Sequence, residues 1–336
     1  MIAEILSTHT PALFDAAVQR AAELLRAGEV VALPTETVYG LAANAWNERA
    51  VAKIFQIKCR PANNPIIVHV AGVEMAGACT DTWPEPAEKL ARAFWPGPLT
   101  LVLPSATEIP GVVTAGGKTV GVRWPGHPFI QAVIRECGFP LAAPSANLSG
   151  HVSPTTAEHV RQQLGDKISL IVDGGQSQVG IESTVLDLTV LPPQVLRPGM
   201  IHAESLAAVC GGARGGTGAA KTGQILRSPG LLKKHYSPTA KLLVLNWQGD
   251  ADLNSQLSTL NSPLSDCHVI AHTRIPSAEH FAQVSVIPHD AEAFARAIYA
   301  ELHRCDAAGA GLIVVEAPPE SPEWSGIADR LRRASA

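Results

Sequence analysis

Residues 211–223 read GGARGGTGAAKTG, a run too poor in side chains to pack. Glycine loses more backbone freedom on ordering than any other residue, so a flexible linker is expected there. The run divides a chain of 336 residues into two parts, as about 150 residues per domain predicts. One domain is expected over residues 1–210 and a smaller one over 239–336, with 211–238 between them. The glycines do not make a phosphate loop. Lys221 follows Ala220 rather than glycine and no strand leads into it, so the G-x-x-x-x-G-K-[ST] spacing fails.

Both parts alternate short apolar runs with helical periodicity. Helices are expected over Pro11–Arg26, with Gly28 as a stop, and over Trp46–Ile57, Pro86–Trp95, Pro128–Cys137 and Thr155–Leu164. EVVALP (29–34), PIIVHV (65–70), LTLVLP (99–104), TVGVRWP (119–125), PLAAPSA (140–146), ISLIVDGG (168–175), STVLDL (183–188) and QVLRPG (194–199) read as strands. Many are joined by short turns, which favours a mixed α/β sheet over a purely doubly wound one. After the linker, strands are expected at KLLVLN, CHVIAHT, AQVSVI and GLIVVEA, with helices over Asp252–Leu260, Asp290–Cys305 and Trp324–Arg333.

A chain 46% hydrophobic and 17% charged can bury a sizeable core. Its net charge of -4 argues against a bulk electrostatic grip on nucleic acid, so any polyanion site must be a local cluster. Six scattered cysteines without a C-x-x-C spacing indicate neither a zinc site nor a redox motif, and suit a reducing cytosol. No signal peptide or membrane span is expected, so the chain is placed in the cytoplasm.

Chemistry concentrates in five places. Lys58 and Arg60 stand two apart at a helix exit, before the turn that holds Asn64. A mobile point charge beside a planar fork suits a polyphosphate, although such a pair is also ordinary on a solvated surface. His69 lies in an apolar strand, where a histidine is commonly a satisfied core residue. LPTETVYGLAANA (33–45) crowds hydroxyls and a carboxylate into a strand exit, the place where α/β proteins bind ligands; a polar turn is the plainer reading. APSANLSG (143–150) is a similar loop, and its Ser145, Asn147 and Ser149 either meet phosphates or make local turns. Arg123 and Arg197 each end a short strand. There is no G-x-S-x-G elbow and no H-E-x-x-H.

Taken in order, LPTETVYGLAANA, IKCRPANNPIIVHV, FWPGPLTLVL, TVGVRWPGHP, PLAAPSANLSGHVSPTTA, ESTVLDL, VLRPG and SPGLLKKHYSP resemble the YrdC-like threonylcarbamoyl-AMP synthases in their two-domain form. The motifs span residues 29–238; the last hundred residues resemble the family's C-terminal domain more loosely, chiefly through GIADRLRRA. Cys59 departs from the pattern, since a small residue, often glycine, is expected between the two cations. Ile66 stands where leucine is commoner.

The resemblance implies a twisted mixed sheet with a concave basic surface, followed by a small Rossmann-like domain. It implies synthesis of threonylcarbamoyl-AMP and pyrophosphate from L-threonine, bicarbonate and ATP, with Mg²⁺ on the triphosphate and no tightly bound cofactor. A downstream threonylcarbamoyl transferase would then modify tRNAs that read codons starting with A. Lys58 and Arg60 would carry the catalysis. Thr37, His69, Arg123, Ser183 and the backbone at Ala143 would bind threonine. Asn64, Thr119, Ser145, Ser153 and Arg197 would join the two cations on ATP. His235 and Tyr236, beside Lys233 and Lys234, would close over the nucleotide as a lid formed by 211–238. Three other readings stay open: a clamp for tRNA or double-stranded RNA without chemistry, a regulatory nucleotide sensor, and a carbamoyl-transfer module of hydrogenase maturation. A His–Arg–Ser pocket is not needed by the first, and the missing acylphosphatase and zinc-finger segments speak against the last.

Overall fold

The computed structural model describes residues 2–215, 226–230, 234–259 and 263–336. Lys221, Lys233 and Leu260, named above, lie outside the described residues. The chain divides into two compact units, residues 1–149 with 153–232, and residues 150–152 with 233–336.

In the first unit the elements are β1 (Glu4–Ser7), α1 (Pro11–Arg26), β2 (Val31–Leu33), β3 (Gly40–Asn44), α2 (Glu48–Lys58), β4 (Ile67–His69), α3 (Val73–Ala78), α4 (Glu85–Phe94), β5 (Leu99–Pro104), β6 (Thr119–Arg123), α5 (Pro128–Cys137), β7 (Leu141–Ala142), α6 (Ala157–Leu164), β8 (Leu170–Asp173), β9 (Thr184–Asp187), β10 (Gln194–Arg197), α7 (Ala203–Cys210) and β11 (Arg214–Gly215). The strands form one twisted sheet in the order β1-β8-β2-β3-β7-β4-β6-β5-β9-β10-β11. Pairings are mixed: β4 and β6 run parallel, whereas β7 is antiparallel to β3 and to β4. The helices start where side chains satisfy their free N–H groups: Thr10 caps α1, Asn47 caps α2 and Thr156 caps α6.

Successive strand residues face opposite sides, and the core follows that rule. Val31 and Leu33 of β2 and Leu170 and Val172 of β8 pack with Leu25 of α1 and with Phe129 and Val133 of α5. Ala32 and Ile171 face the other way, toward Val51 and Ile54 of α2, Leu90 of α4 and Val160 of α6. Both faces are covered, which explains the near-continuous apolar strands.

Most expected strands appear, trimmed by up to two residues at either end, and most expected helices appear with ends shifted by one or two residues. PLAAPSA keeps only Leu141–Ala142 as strand, and TVGVRWP stops at Arg123. β1, β3, α3, α7 and β11 were not expected. β3, GLAAN, is built from small residues that carry little strand preference. The opening of the Gly-rich run, expected not to pack, supplies β11, whose Arg214 and Gly215 pair with Gln194 and Val195.

In the second unit β12 (Lys241–Leu245), α8 (Asp250–Ser258), β13 (Cys267–Ala271), β14 (Gln283–Val286), α9 (Ala291–Ala307), β15 (Leu312–Glu316) and α10 (Ser325–Ala334) follow in order. Its sheet, β12-β15-β13-β14, is parallel throughout, as the Rossmann-like expectation requires. Leu253, Leu257, Val269, Leu312 and Val314 form its core with Trp247. Among the described residues no helix is long and apolar enough to cross a membrane.

Candidate active site

The parallel strands β4 and β6 set the frame. His69 pairs with Arg123 at their C-terminal ends, and Ile67 pairs with Gly121. The same register places Thr119 level with residue 65, the end of the Arg60–Pro65 turn. Four residues of strand separate Thr119 from Arg123, roughly 13 Å at about 3.3 Å per residue. The candidate residues therefore divide into two groups, one at each end of the strand pair.

At one end, Lys58 is the last residue of α2 and only 1% exposed. Its Nζ donates to the Ser145 and Asn147 carbonyl oxygens at 2.6 and 2.5 Å and reaches Asn147 Oδ1 at 3.5 Å. All three partners are neutral oxygens. Burial, and after it the Arg60 cation, pushes the Lys58 pKa well below the ordinary lysine value. A buried ammonium held by dipoles alone is a seat for an anion. Arg60 is half-buried. Its Nε and Nη2 donate to the Asn64 and Pro65 carbonyls at 3.0 and 2.6 Å, and its guanidinium lies 6.0 Å from the Phe55 ring centre. Asn64 is buried, and among the described residues its Oδ1 accepts no hydrogen bond. Between the cations, Cys59 closes the helix at φ 50°, ψ 42°. That is the left-handed region, where a Cβ is costly and glycine is favoured. The geometry gives the physical reason for the departure noted at Cys59.

At the other end, Arg123 is buried. Its Nε donates to Gly97 O at 3.2 Å and its Nη1 to Thr37 Oγ1 at 3.0 Å. Its Nη2 lies 2.6 Å from Glu36 Oε1, yet the approach is off-axis, so neither Glu36 oxygen nor Nη2 has a directed hydrogen bond. The ion pair is real by distance and incomplete by angle. His69 is 3% exposed, and among the described residues neither ring nitrogen has a hydrogen-bond partner. Burial first, and the Arg123 cation second, hold its pKa well below 6.5, which keeps the imidazole neutral. Ser183 Oγ shares a 2.8 Å bond with Thr100 Oγ1 and accepts from Arg197 Nη2 at 3.0 Å, while Arg197 Nε donates to Ser183 O. Arg197, assigned to the nucleotide by resemblance, thus sits on Ser183, at the Arg123 end. Ser153 Oγ donates to Glu182 at 2.5 Å.

Backbone bonds stitch the two ends together. Leu41 N donates to Pro144 O, Ala146 N to Tyr39 O, and Gly40 bridges Ser145. A Cβ on Gly40 would lie 3.4 Å from the Ala143 Cβ, so a bare backbone lets the loops approach. Ala143 and Ser145 lie on the one loop that runs between the two groups. A second seam ties 35–37 to 177–180: Ser177 Oγ donates to Thr35 O, Val179 N to Glu36 O and Gly180 N to Thr37 O.

His235 and Tyr236 belong to the second unit. Tyr236 is buried at φ 64°, stacks on Tyr299 with ring centres 6.0 Å apart, and lies under the Arg330 guanidinium at 5.3 Å. His235 N donates to Arg333 O. Arg330, Arg332 and Arg333 all meet the buried Asp329 carboxylate. The GIADRLRRA segment therefore anchors the HY pair.

The sequence offered Glu36 only as the carboxylate of a polar strand exit, with no role assigned to it, and did not single out Glu182. Their signal was a lone carboxylate beside an assigned residue, Thr37 after β2 and Ser183 before β9. Among the described residues no group of three or more His, Cys, Asp or Glu side chains is placed to hold a metal ion.

Comparison with known proteins now adds family. Residues 23–199 match the Sua5/YciO/YrdC family model, described as "Telomere recombination". Residues 201–336 match the model described as "Threonylcarbamoyl-AMP synthase, C-terminal domain". The threonylcarbamoyl-AMP synthase of Pyrococcus abyssi is 40% identical, covering 94% of this chain and 93% of its own. That of Bacillus subtilis is 48% identical over 72% of this chain and 69% of its own. The crystal structure of P. abyssi Sua5 complexed with L-threonine superposes with a TM-score of 0.90 at 37% identity, covering 100% of this chain and 98% of that one. By both domains and over nearly its whole length, the chain belongs to the Sua5/YciO/YrdC family, in the two-domain form of the threonylcarbamoyl-AMP synthases.

Proposed function

We propose that this chain makes L-threonylcarbamoyl-AMP and pyrophosphate from L-threonine, bicarbonate and ATP, the first step of N6-threonylcarbamoyladenosine formation in tRNAs reading codons starting with A. The observation that carries the reading is Lys58, a buried ammonium bound only to neutral oxygens, on a frame whose other end holds the buried Arg123, His69 and Thr37. One end suits phosphates and the other an amino acid.

The threonine amine becomes a carbamate with bicarbonate. A carbamate oxygen then attacks the α-phosphorus, the bond to the β-phosphate breaks, and pyrophosphate leaves with the electron pair. No enzyme nucleophile is needed, so catalysis is positioning and charge neutralisation. Arg123 and Thr37 orient threonine with His69, Ser183 and the Ala143 backbone. Lys58 and Arg60 neutralise the phosphates with Asn64, Thr119 and Ser145, and the nucleotide extends to Ser153 and to Arg197, which bonds Ser183 at the Arg123 end. Mg²⁺ enters with ATP, because a hard cation with few protein ligands is commonly held by substrate phosphates. The sheet surface that gathers these cations is the concave basic surface expected for the family. The assignment also gives His235 and Tyr236 a part in ATP binding; His235→Ala, Tyr236→Ala together should raise the KM for ATP and leave threonine binding alone. The product passes to a threonylcarbamoyl transferase in the cytoplasm.

The test is pyrophosphate release with each substrate omitted. Release from ATP should require threonine and bicarbonate together. Equal release with serine, or without bicarbonate, sinks the assignment; weak use of serine does not, since one methyl is worth only about 1–3 kcal/mol.

A further inference from the structure

We propose that Glu36 receives the threonine ammonium and accepts the proton that carboxylation releases. The inference rests on the threonine site proposed at Arg123. Glu36 is 9% exposed, and among the described residues neither of its carboxylate oxygens has a directed hydrogen bond. A buried carboxylate without donors is costly unless something charged completes it. What it has is Arg123 Nη2 at 2.6 Å, off-axis. Its own backbone is fixed, because Glu36 O accepts from Val179 N at 2.7 Å. The carboxylate lies opposite Gly126, where an added Cβ would come 3.4 Å from Glu36 Cδ.

An arginine facing a carboxylate is the smallest receptor for an α-amino acid zwitterion. The incoming carboxylate takes Arg123 Nη2, and the incoming ammonium takes Glu36. Each charge that the off-axis Glu36–Arg123 contact leaves half-satisfied is then completed by its opposite. The chemistry also needs a proton acceptor. Carboxylation forms one N–C bond and breaks one C–O bond of bicarbonate: the ammonium and bicarbonate give carbamate, water and one proton. That proton passes from the substrate nitrogen to a Glu36 oxygen as the nitrogen lone pair is freed for attack.

The groups around Glu36 support this choice. Arg123 carries a fixed cation from β6. His127, at the start of α5, feels the Glu36 charge. His69, beside Arg123 on β4, is held neutral and is a poor proton acceptor. Glu182 is already engaged by Ser153 Oγ.

The experiment measures binding of L-threonine and of 2,3-dihydroxybutanoate, in which a hydroxyl replaces the ammonium, to the full chain by calorimetry. The wild type should prefer threonine by roughly 10- to 100-fold, the range of a charge-assisted hydrogen bond. Glu36→Gln should bring the preference to within about threefold, and Glu36→Asp should restore part of it. Pyrophosphate release by Glu36→Gln should rise steeply with pH, as free amine becomes available in solution, while the wild type changes little. A Glu36→Gln chain that keeps the wild-type preference, or one that weakens both ligands equally with an unchanged pH profile, overturns the proposal. Arg123→Gln separates the two levels of argument. If that variant binds threonine normally, the site reading itself has failed; if it loses threonine while Glu36→Gln keeps the preference, only the role of Glu36 has failed. Melting curves of Glu36→Gln and Glu36→Asp identify any variant that does not fold, and the Asp chain then decides.

Discussion

The two ends of the β4–β6 frame solve opposite problems. At the Lys58 end the cations are satisfied by the protein itself: Lys58 by Ser145 and Asn147, and Arg60 by Asn64 and Pro65, all through carbonyl oxygens. At the Arg123 end the polar groups wait, with both nitrogens of His69 and both oxygens of Glu36 lacking a directed partner. The first arrangement holds two like charges near each other against backbone dipoles; under the proposed assignment a triphosphate must outcompete those dipoles. The second, under the same proposal, meets a small zwitterion whose arrival completes bonds rather than exchanging them. The contrast teaches that two buried arginine or lysine sites of one sheet can differ in whether the protein itself supplies their partners.

The largest expected effect breaks the Arg123 end. Two charge-assisted bonds are worth about 3–6 kcal/mol together, so Arg123→Ala should raise the threonine KM by roughly 10²- to 10⁴-fold, measured by pyrophosphate release under saturating ATP. At the Lys58 end, Lys58→Ala or Arg60→Ala should lower catalytic efficiency by roughly 10- to 100-fold, about 1.5–3 kcal/mol. Arg60→Lys should also be damaging, since a point charge does not replace a fork that holds two carbonyls. A normal rate in either alanine variant would mean that the cation removed takes no part in the reaction.

Smaller effects sharpen the comparison through stability. Cys59→Gly removes a Cβ from the left-handed position between the cations and should stabilise the chain by up to about 1 kcal/mol, read as a higher denaturant midpoint with activity kept. His69 gives a pH signature. Its folded pKa lies below the unfolded value of about 6.5. Between the two values the unfolded chain holds the extra proton. Stability present above about pH 6.5 is therefore lost as the pH falls toward the folded value, at up to about 1.36 kcal/mol per pH unit. His69→Gln should flatten that slope by one proton, while His127, also lowered by burial, still contributes its own.

How much of this the sequence revealed follows from range. Helices with local signals were legible: α5 runs from Pro128 to Cys137 as its periodicity and leading proline indicate. Strands buried on both faces were legible as apolar runs, but their ends were not, because pairing partners rather than composition decide where β7 stops after Ala142. β1 and β11 are short edge strands with no periodicity to read, and they exist through β8 and β10. In the candidate site, Lys58, Arg60 and Arg123 stood out by charge and spacing. That Lys58 is buried was not legible, since its partners come from residues 145–147. Glu36 was visible only as one carboxylate in a polar turn; its importance appears once β6 brings Arg123 against it.

The most direct test of the division into two ends is a crossed binding measurement. Threonine and ATP are each titrated calorimetrically into the full-length wild type, Arg123→Ala and Lys58→Ala. The account predicts that Arg123→Ala loses threonine while its ATP affinity stays within about threefold, and that Lys58→Ala loses ATP affinity by about tenfold or more while threonine binds as in the wild type. Loss of both ligands in each variant, or unchanged ATP affinity in Lys58→Ala, would contradict it.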